Sequence, residues 1–420
     1  MQNMNIRSDS HVDHRIMKKI FTAMASCFVI ICISQCSAKT KQAPGTPAAN
    51  ADLPADSRVI NGADQIDLIL PKLQGRSVAL VVNNTSLVGG AVHLVDTLKN
   101  SGIVIRKIFA PEHGFRGTAD AGEDVKDGID VKSGLPVFSL HGANRKPTPE
   151  QLADVDIVIF DIQDVGVRFY TYISTLHYVM EACAEQEKKL LVLDRPNPNG
   201  NFVDGPVLEP AFRSFLGMHT IPLVHGLTIG ELALMVNGEG WLGRGKQCDV
   251  EVIPVRNWKH ADAYSIREKP SPNLPNDQSI RLYPSLGLFE GTVMSVGRGT
   301  QMPFQVVGHP DLRNMPFEFT PVSIEGMAKT PLYENRACYG LDLRNVKAER
   351  KLDLQYLMKM YEAFPDKTKF FNDKNFDTHL GTSKLREQIR AGVSEAEIRK
   401  SWEKDLTSYK LMRNRYLLYP

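Results

Sequence analysis

DIVIFDIQDVGVRFYTY, at residues 156–172, is the stretch of sequence that decides the fold. Its first seven residues are mostly apolar and rich in isoleucine and valine, which is typical of a strand covered on both faces of a sheet. A polar turn follows this strand, and the aromatic residues after the turn open a helical pattern at 172–188. A strand, a turn and a helix in this order predict one unit of a parallel α/β sheet.

Four further apolar runs have the same character as this strand. They lie at residues 77–82, 103–110, 135–140 and 189–194. Helical patterns separate the runs, one at 91–100 and a short one opened by Thr148, where a capping box has proline at the first helical position. The alternation predicts an α/β fold with a doubly wound, mostly parallel sheet. We place this catalytic domain at residues 58–224.

After residue 224 the sequence pattern changes. A helix is expected at 228–237, and a proline- and glycine-rich segment at 258–310 has few periodic runs. Long segments of this kind are usually functional. Helical patterns return at 352–363, 383–391 and 394–416. We therefore predict a second, smaller α+β domain at 225–420 that closes a cleft against the first.

The N-terminus has the layout of an export signal. Two lysines precede an apolar run at 20–33, and small residues follow it. The run is shorter than the ~20 residues of a membrane-spanning helix. We expect a signal peptide at 1–38, with Met17 as a possible start, and a flexible tether at 39–57. Cleavage after Ala38 would give a periplasmic protein, whereas cleavage before Cys36 would leave a lipidated Cys36 as a membrane tether.

Composition excludes several classes of protein. Lys and Arg number 50 and Asp and Glu 48, so the net charge of +2 gives no reason to expect a nucleic-acid partner. Of six cysteines, three lie in the leader and three are far apart, which fits neither a disulfide framework nor a metal cluster. A dinucleotide-like glycine pattern at 238–243 follows a helix instead of a strand. The sequence therefore predicts no metal and no cofactor.

Polar clusters follow the predicted strands at their C-terminal ends. Because these ends meet at one edge of a parallel sheet, ligands of open α/β folds bind in the crevice outside that edge. We therefore expect one site there, with help from the second domain. The candidates for substrate binding are Asn83, His113, Arg116, Asp161, Arg168, Tyr170, Tyr172, Arg195, His225 and Arg298.

Glu112 is the leading candidate for acid–base chemistry. It lies in a glycine-containing turn after the second strand, where a partly desolvated carboxyl would have a raised pKa and could donate a proton. Pairing with Arg116, which would only shape the loop, is the alternative. Many acid–base reactions need a second working group besides the acid. Asp164 and Glu290 are the candidates for the second, and for Asp164 the alternative is a salt bridge to Arg168.

Eight motifs carry a resemblance to a known family. In chain order they read PEHGFRG, DIQDVGVRFYTY, DRPNP, HGLTIGE, PSPNLP, LFEGT, SVGRGT and HLGTSKLREQIRAG. They are similar to those of the exo-β-N-acetylmuramidase (NamZ) family of peptidoglycan hexosaminidases, formerly a domain of unknown function. The similarity runs from about residue 59 to the end of the chain.

The resemblance implies an active site between a Rossmann-like domain and a smaller C-terminal domain. It implies release of terminal, non-reducing β-1,4-linked N-acetylmuramic acid from peptidoglycan fragments or muropeptides, with Glu112 as the catalytic glutamate. Asp164 or Glu290 would then act as base or nucleophile, or the substrate's acetamido group would assist. The lactyl carboxylate of muramic acid needs a cation, which Arg116, Arg168 or Arg298 could supply.

Two other functions remain compatible with the sequence. One is a metal-dependent or other cell-wall hydrolase, such as an esterase or an amidase. The other is an envelope protein that binds muropeptides without cleaving them.

Overall fold

A computed structural model of the chain describes residues 58–115 and 127–420. The predicted signal peptide, the tether and Arg116 lie outside these ranges. In the ranges that are described, no helix is long and apolar enough to cross a membrane.

The described residues form a mixed series of strands and helices. The strands are β1 (Ser77–Val82), β2 (Leu87–Val88), β3 (Val92–His93), β4 (Val104–Ala110), β5 (Gly128–Ile129), β6 (Pro136–Ser139), β7 (Ile157–Asp161), β8 (Lys189–Leu193), β9 (Asp204–Val207), β10 (Pro222–Val224), β11 (Asp249–Ile253), β12 (Val306–His309), β13 (Phe317–Phe319) and β14 (Cys338–Asp342). The α-helices are α1 (Ile66–Leu73), α2 (Leu94–Asn100), α3 (Pro149–Leu152), α4 (Tyr172–Glu185), α5 (Ile229–Gly238), α6 (Asp277–Leu286), α7 (Gln355–Ala363), α8 (Asp373–Leu380), α9 (Lys384–Arg390) and α10 (Glu395–Arg413).

The central sheet has seven strands within the described ranges, in the order β11-β8-β7-β1-β4-β6-β5. Its pairings are parallel except at the edge strand β5, which runs antiparallel to β6. Along β1, Ala79 and Val81 belong to one buried cluster, and Val78 and Leu80 belong to another on the opposite face. Two covered faces explain why the strands read as continuous apolar runs. The predicted doubly wound α/β fold is confirmed.

The predicted helix at 91–100 is partly wrong. Residues Val92–His93 pair with Leu87–Val88 in a small hairpin, and α2 begins only at Leu94. Gly89 and Gly90 both have positive φ, which lets the chain reverse tightly at that point. His93 then caps the helix, because its Nδ1 accepts the backbone N–H of Val95 at 3.2 Å.

The central sheet continues beyond residue 224, where the first domain was predicted to end. Strand β11 pairs in parallel with β8, and α5 precedes it. The start of α5 has a capping box: Thr228 accepts the backbone N–H of Glu231, and the Glu231 side chain accepts that of Thr228. The carboxylate of Glu231 also contacts His260 at 2.9 Å, so its role is structural.

The C-terminal part is the predicted smaller α+β region. Within the described residues it contains a three-stranded antiparallel sheet, β12-β14-β13, together with helices α6 to α10. The segment 258–310, which has few periodic runs in the sequence, contains α6 and β12. Pro284 lies inside α6, and a proline in that position makes a helix hard to predict from the sequence. Asn276 caps α6 by accepting the backbone N–H of Ser279 at 2.9 Å.

Candidate active site

Glu112 lies in a tight turn directly after β4. The backbone N–H of Gly114 donates to the carbonyl of Pro111 at 3.0 Å, which closes the turn. His113 has φ 69° and Gly114 φ 76°, so both adopt the left-handed conformation. For a histidine this costs on the order of 1 kcal/mol and needs support from its surroundings. The hydroxyl of Ser271, 3.2 Å from His113 Nε2, is part of that support.

The Glu112 side chain is half-buried and meets the start of helix α4. Its Oε2 accepts a hydrogen bond from Thr171 Oγ1 at 3.0 Å, and its backbone carbonyl accepts from the Tyr172 hydroxyl at 3.5 Å. Helix α4 has 14 residues, and the free N–H groups at a helix N-terminus favour a negative charge. These contacts hold the Glu112 carboxyl group at the N-terminus of α4.

Asn83, Tyr170 and Tyr172 form the wall behind Glu112. The amide Nδ2 of Asn83 donates to the Tyr172 hydroxyl at 3.1 Å, and the Tyr170 hydroxyl donates to the carbonyl of Pro270 at 2.5 Å. The two tyrosine rings pack edge-on, 4.8 Å apart, and both are buried. Burial, with a smaller effect of the Glu112 charge, raises the pKa of Tyr172. These three residues position the turn. The two tyrosine rings are buried and offer little surface to a sugar.

Asp164 is a buried carboxyl with one unused oxygen. Its Oδ1 accepts the backbone N–H of Gly166 at 2.7 Å, whereas its Oδ2 has no hydrogen-bond partner in the described part of the chain. Burial raises the pKa of Asp164 to about 7. The Nε2 atom of His225 lies 3.9 Å from Oδ1, beyond hydrogen-bond distance. Burial lowers the pKa of His225 to about 3, so the imidazole is neutral.

Arg168 was predicted to bind substrate, and the structure does not bring it to an open site. The side chain is fully buried, and its guanidinium donates to the carbonyls of Pro206 at 3.0 Å, Ile221 at 2.7 Å and Leu380. Burial lowers the pKa of Arg168 to about 9. In the described residues no salt bridge to Asp164 forms, and Nη1 and Nη2 bind these carbonyls instead. Arg168 instead ties three distant segments of backbone together.

Glu290 and Arg298 form an ion pair with each other. The Nε and Nη2 atoms of Arg298 donate to Glu290 Oε1 at 3.0 and 2.7 Å, and the guanidinium lies over the ring of Phe304. Burial lowers the pKa of Arg298, but the Glu290 carboxylate raises it more, with smaller contributions that include Glu112. The Glu290 side chain keeps 22% of its surface exposed and the Arg298 side chain keeps 27%. The pair therefore lies near Glu112 and within reach of a ligand.

Tyr283 on helix α6 is a further candidate for the site that the sequence analysis did not predict. Burial raises the pKa of its hydroxyl. The nearby carboxyl groups of Glu290, Glu112 and Asp164 raise it further. Among the residues described, the hydroxyl has no hydrogen-bond partner, so it is a neutral donor facing three carboxyl groups. The only available sequence signal was the helix itself, which was not recognised.

Asp161 and Arg195 form a second polar centre at the same edge of the sheet. Asp161 ends β7 and is fully buried, and its two oxygens accept from Arg195 Nε at 2.5 Å and Nη2 at 2.9 Å. Burial lowers the pKa of Arg195, but the Asp161 carboxylate raises it more. Arg195 lines a cavity of about 340 Å³ whose lining does not include Glu112. The predicted polar clusters thus share one edge but lie at two neighbouring positions on it.

The fold and the site together define a class of protein. A doubly wound sheet carries Glu112 at its C-terminal edge, and Glu290 comes to it from the C-terminal region, as in an enzyme that uses carboxyl groups for hydrolysis. Among residues 58–115 and 127–420, no group of three or more His, Cys, Asp or Glu is arranged to hold a metal ion.

Comparison with known proteins identifies the family. The N-terminal domain of exo-β-N-acetylmuramidase NamZ matches residues 78–278, and its C-terminal domain matches 281–419. The peptidoglycan β-N-acetylmuramidase NamZ of Bacillus subtilis (strain 168) is 38% identical over 378 residues, which are 84% of this chain and 90% of that protein. The chain belongs to the NamZ exo-β-N-acetylmuramidase family and is a glycosidase.

Two solved structures from Bacteroides fragilis NCTC 9343, both described as DUF1343 family proteins, share the fold. One is 45% identical with a TM-score of 0.80, and the similarity covers 86% of this chain and 99% of that one. The other is 30% identical with a TM-score of 0.74, and it covers 87% of this chain and 100% of that one.

Proposed function

We propose that this protein is an exo-acting glycosidase that releases terminal, non-reducing β-1,4-linked N-acetylmuramic acid from peptidoglycan fragments, with Glu112 as the general acid. The named activity of the Bacillus subtilis relative supports the substrate class. The observation that carries the residue assignment is the position of Glu112, half-buried between the β4 turn and the start of α4.

In the proposed reaction Glu112 gives its proton to the glycosidic oxygen as the bond to the sugar breaks. Positive charge develops on the ring in an oxocarbenium-like transition state. The carboxylate left on Glu112 keeps its hydrogen bond from Thr171 and lies at the positive end of α4. The Thr171 hydroxyl holds the carboxyl group in position for this transfer.

Glu290 is the better candidate for the second carboxyl group. A base or nucleophile must be ionised and must reach the substrate, and the Glu290 carboxylate is partly exposed with its charge compensated by Arg298. Asp164 is enclosed, and its pKa of about 7 leaves much of it protonated at neutral pH. Asp164 therefore serves as a positioning residue beside the site. Assistance by the substrate's acetamido group is the alternative to a direct role for Glu290.

Arg298 is the proposed cation for the lactyl carboxylate. It is the predicted arginine that the structure places near Glu112, whereas Arg168 is internal and Arg116 lies outside the described residues. The predicted leader fits a substrate found in the cell envelope, and export, with or without a tether at Cys36, stays part of the proposal.

The test compares Glu112→Gln with Glu150→Gln, a matched change at an exposed position on α3. Release of the sugar from a muramyl-glucosaminide disaccharide should fall by about 10²-fold or more in the first variant and stay close to wild type in the second. Equal activity of the two folded variants would remove Glu112 from the reaction. Activity lost with a chelator and restored by a divalent ion would favour a metal-dependent hydrolase, and binding without turnover would favour a muropeptide-binding protein.

A further inference from the structure

The cavity beside Arg195 is built differently from the surroundings of Glu112. It encloses about 340 Å³ at the C-terminal ends of β1, β7 and β8, which is enough space for a small ligand. Its floor includes Thr85 and Gln163, and its outer wall is the segment 264–268. The catalytic proposal makes no use of this space.

Arg195 presents a free hydrogen-bond donor to the cavity. The side chain is only 7% exposed and is held by Asp161, which binds Nε and Nη2. In the part of the chain that is described, Nη1 has no partner, and it is not sealed inside the protein. A buried guanidinium held rigidly by one carboxylate is suited to bind a second through its outer edge.

The remaining polar groups of the cavity favour an anionic ligand. Arg58 and Arg267 also line it, and neither forms an ion pair within residues 58–115 and 127–420; the carboxylates of the lining are Asp64 and Glu268. The carboxylate of Asp64 already accepts the backbone N–H groups of Asn61 at 3.0 Å and Gly89 at 2.7 Å. The donors that stay available to a ligand are therefore mainly those of the three arginines.

We propose that this cavity binds a carboxylate-bearing part of a peptidoglycan fragment, with Arg195 Nη1 and the Arg267 guanidinium as donors. The ligand class rests on the proposed function, whereas the presence of an anion site rests on the arginines alone. If Arg298 holds the lactyl carboxylate, the ligand of this cavity is a carboxylate of the peptide stem; the lactyl carboxylate offers the same chemistry if Arg298 does not hold it.

The two sites are connected through the loop that follows β1. Thr85, which lines the cavity, donates its hydroxyl to Asn83 Oδ1 at 2.6 Å, and Asn83 Nδ2 donates to the Tyr172 hydroxyl at 3.1 Å. Tyr172 in turn contacts the Glu112 carbonyl. The segment 264–271 runs the same way, from the cavity to Ser271 beside His113. A ligand in the cavity would therefore lie next to the site of cleavage.

Isothermal titration of the protein with four probes tests this inference. The probes are N-acetylmuramic acid, D-lactate, the dipeptide L-alanyl-D-isoglutamine and the neutral sugar N-acetylglucosamine. Arg267→Ala should weaken binding of at least one carboxylate probe by about tenfold, because one charge-assisted contact is lost. Arg344→Ala, a change at an exposed arginine elsewhere on the chain, is the matched control and should leave binding unchanged. Preference for the sugar acid or for the dipeptide identifies the source of the carboxylate.

A second variant separates this site from the catalytic one. Arg195→Lys keeps a cation beside Asp161 but removes the free Nη1 edge, and it should also weaken binding of D-lactate or of the dipeptide. Glu112→Gln should leave the binding of these two probes unchanged. Unchanged binding in the folded Arg267→Ala and Arg195→Lys variants, or equally strong binding of N-acetylglucosamine, would overturn the inference. If Glu112→Gln loses hydrolysis while the two arginine variants bind the probes as the wild type does, the proposed function stands. Only the proposed anion site in the cavity is then ruled out.

Discussion

Replacing Asp164 by asparagine should flatten the pH dependence of stability between about pH 4 and pH 7. In the folded protein burial raises the pKa of this carboxyl from 3.8 to about 7, and the unfolded chain has the lower value. Between these two values the folded state holds a proton that the unfolded state has released. The raised pKa therefore adds to the free energy of unfolding at low pH. This contribution decreases as the pH rises above about 4 and is lost once the pH has passed about 7.

The size of this effect follows from the pKa difference. Each unit is worth about 1.4 kcal/mol, so a difference of about three units gives roughly 4 kcal/mol as an upper limit. Asparagine does not titrate, so Asp164→Asn loses none of this stability as the pH rises. The amide leaves a donor unpaired, which costs about 1–3 kcal/mol at every pH and does not change the slope.

Urea unfolding at pH 4.5, 6.0 and 7.5 measures the slope directly. The difference in unfolding free energy between wild type and Asp164→Asn should shift in favour of the variant as the pH rises. Asp405→Asn, at an exposed position on α10, is the matched control and should follow the wild type. Parallel pH profiles for wild type and Asp164→Asn would refute the reasoning, because they would mean that the buried carboxyl is ionised without cost.

Further variants test the other assignments. Tyr283→Phe should leave the free energy of unfolding within about 0.5 kcal/mol of wild type, since its hydroxyl has no described partner, but should lower kcat/KM by about tenfold if that hydroxyl binds substrate; unchanged kcat/KM would remove it from the site. Arg168→Met should lower the unfolding free energy in urea by about 3 kcal/mol, at about 1 kcal/mol for each of the carbonyls it leaves unpaired. A folded Arg168→Met variant of wild-type stability would contradict the structural role.

The central sheet could be predicted because its strands are buried on both faces. Burial on both faces removes the need for alternation, so β1 and β7 appear in the sequence as uninterrupted apolar runs. The capping box at Thr228 is a similarly local pattern, because its two hydrogen bonds join side chain and backbone within four residues. Such local signals do not depend on the rest of the fold.

The errors arose where distant contacts decide the structure. Helix α6 has a proline inside and packs its apolar face on the core, so Tyr283 escaped notice as a site residue. Arg168 resembled a substrate-binding cation because the sequence cannot show that three carbonyls from distant segments take its donors. Arg195 was predicted beside Glu112, but the segment 264–268 forms the wall of a cavity around it that Glu112 does not line.

The central claim is that Glu112 delivers the proton to the leaving group. The most direct test measures hydrolysis by Glu112→Gln on two muramic acid glycosides, one with N-acetylglucosamine as the leaving group and one with 4-nitrophenol. A leaving group that departs without protonation does not need a general acid, so the variant should lose about 10²-fold or more on the disaccharide and less than about tenfold on the aryl glycoside. Equal losses on both substrates would contradict the assignment.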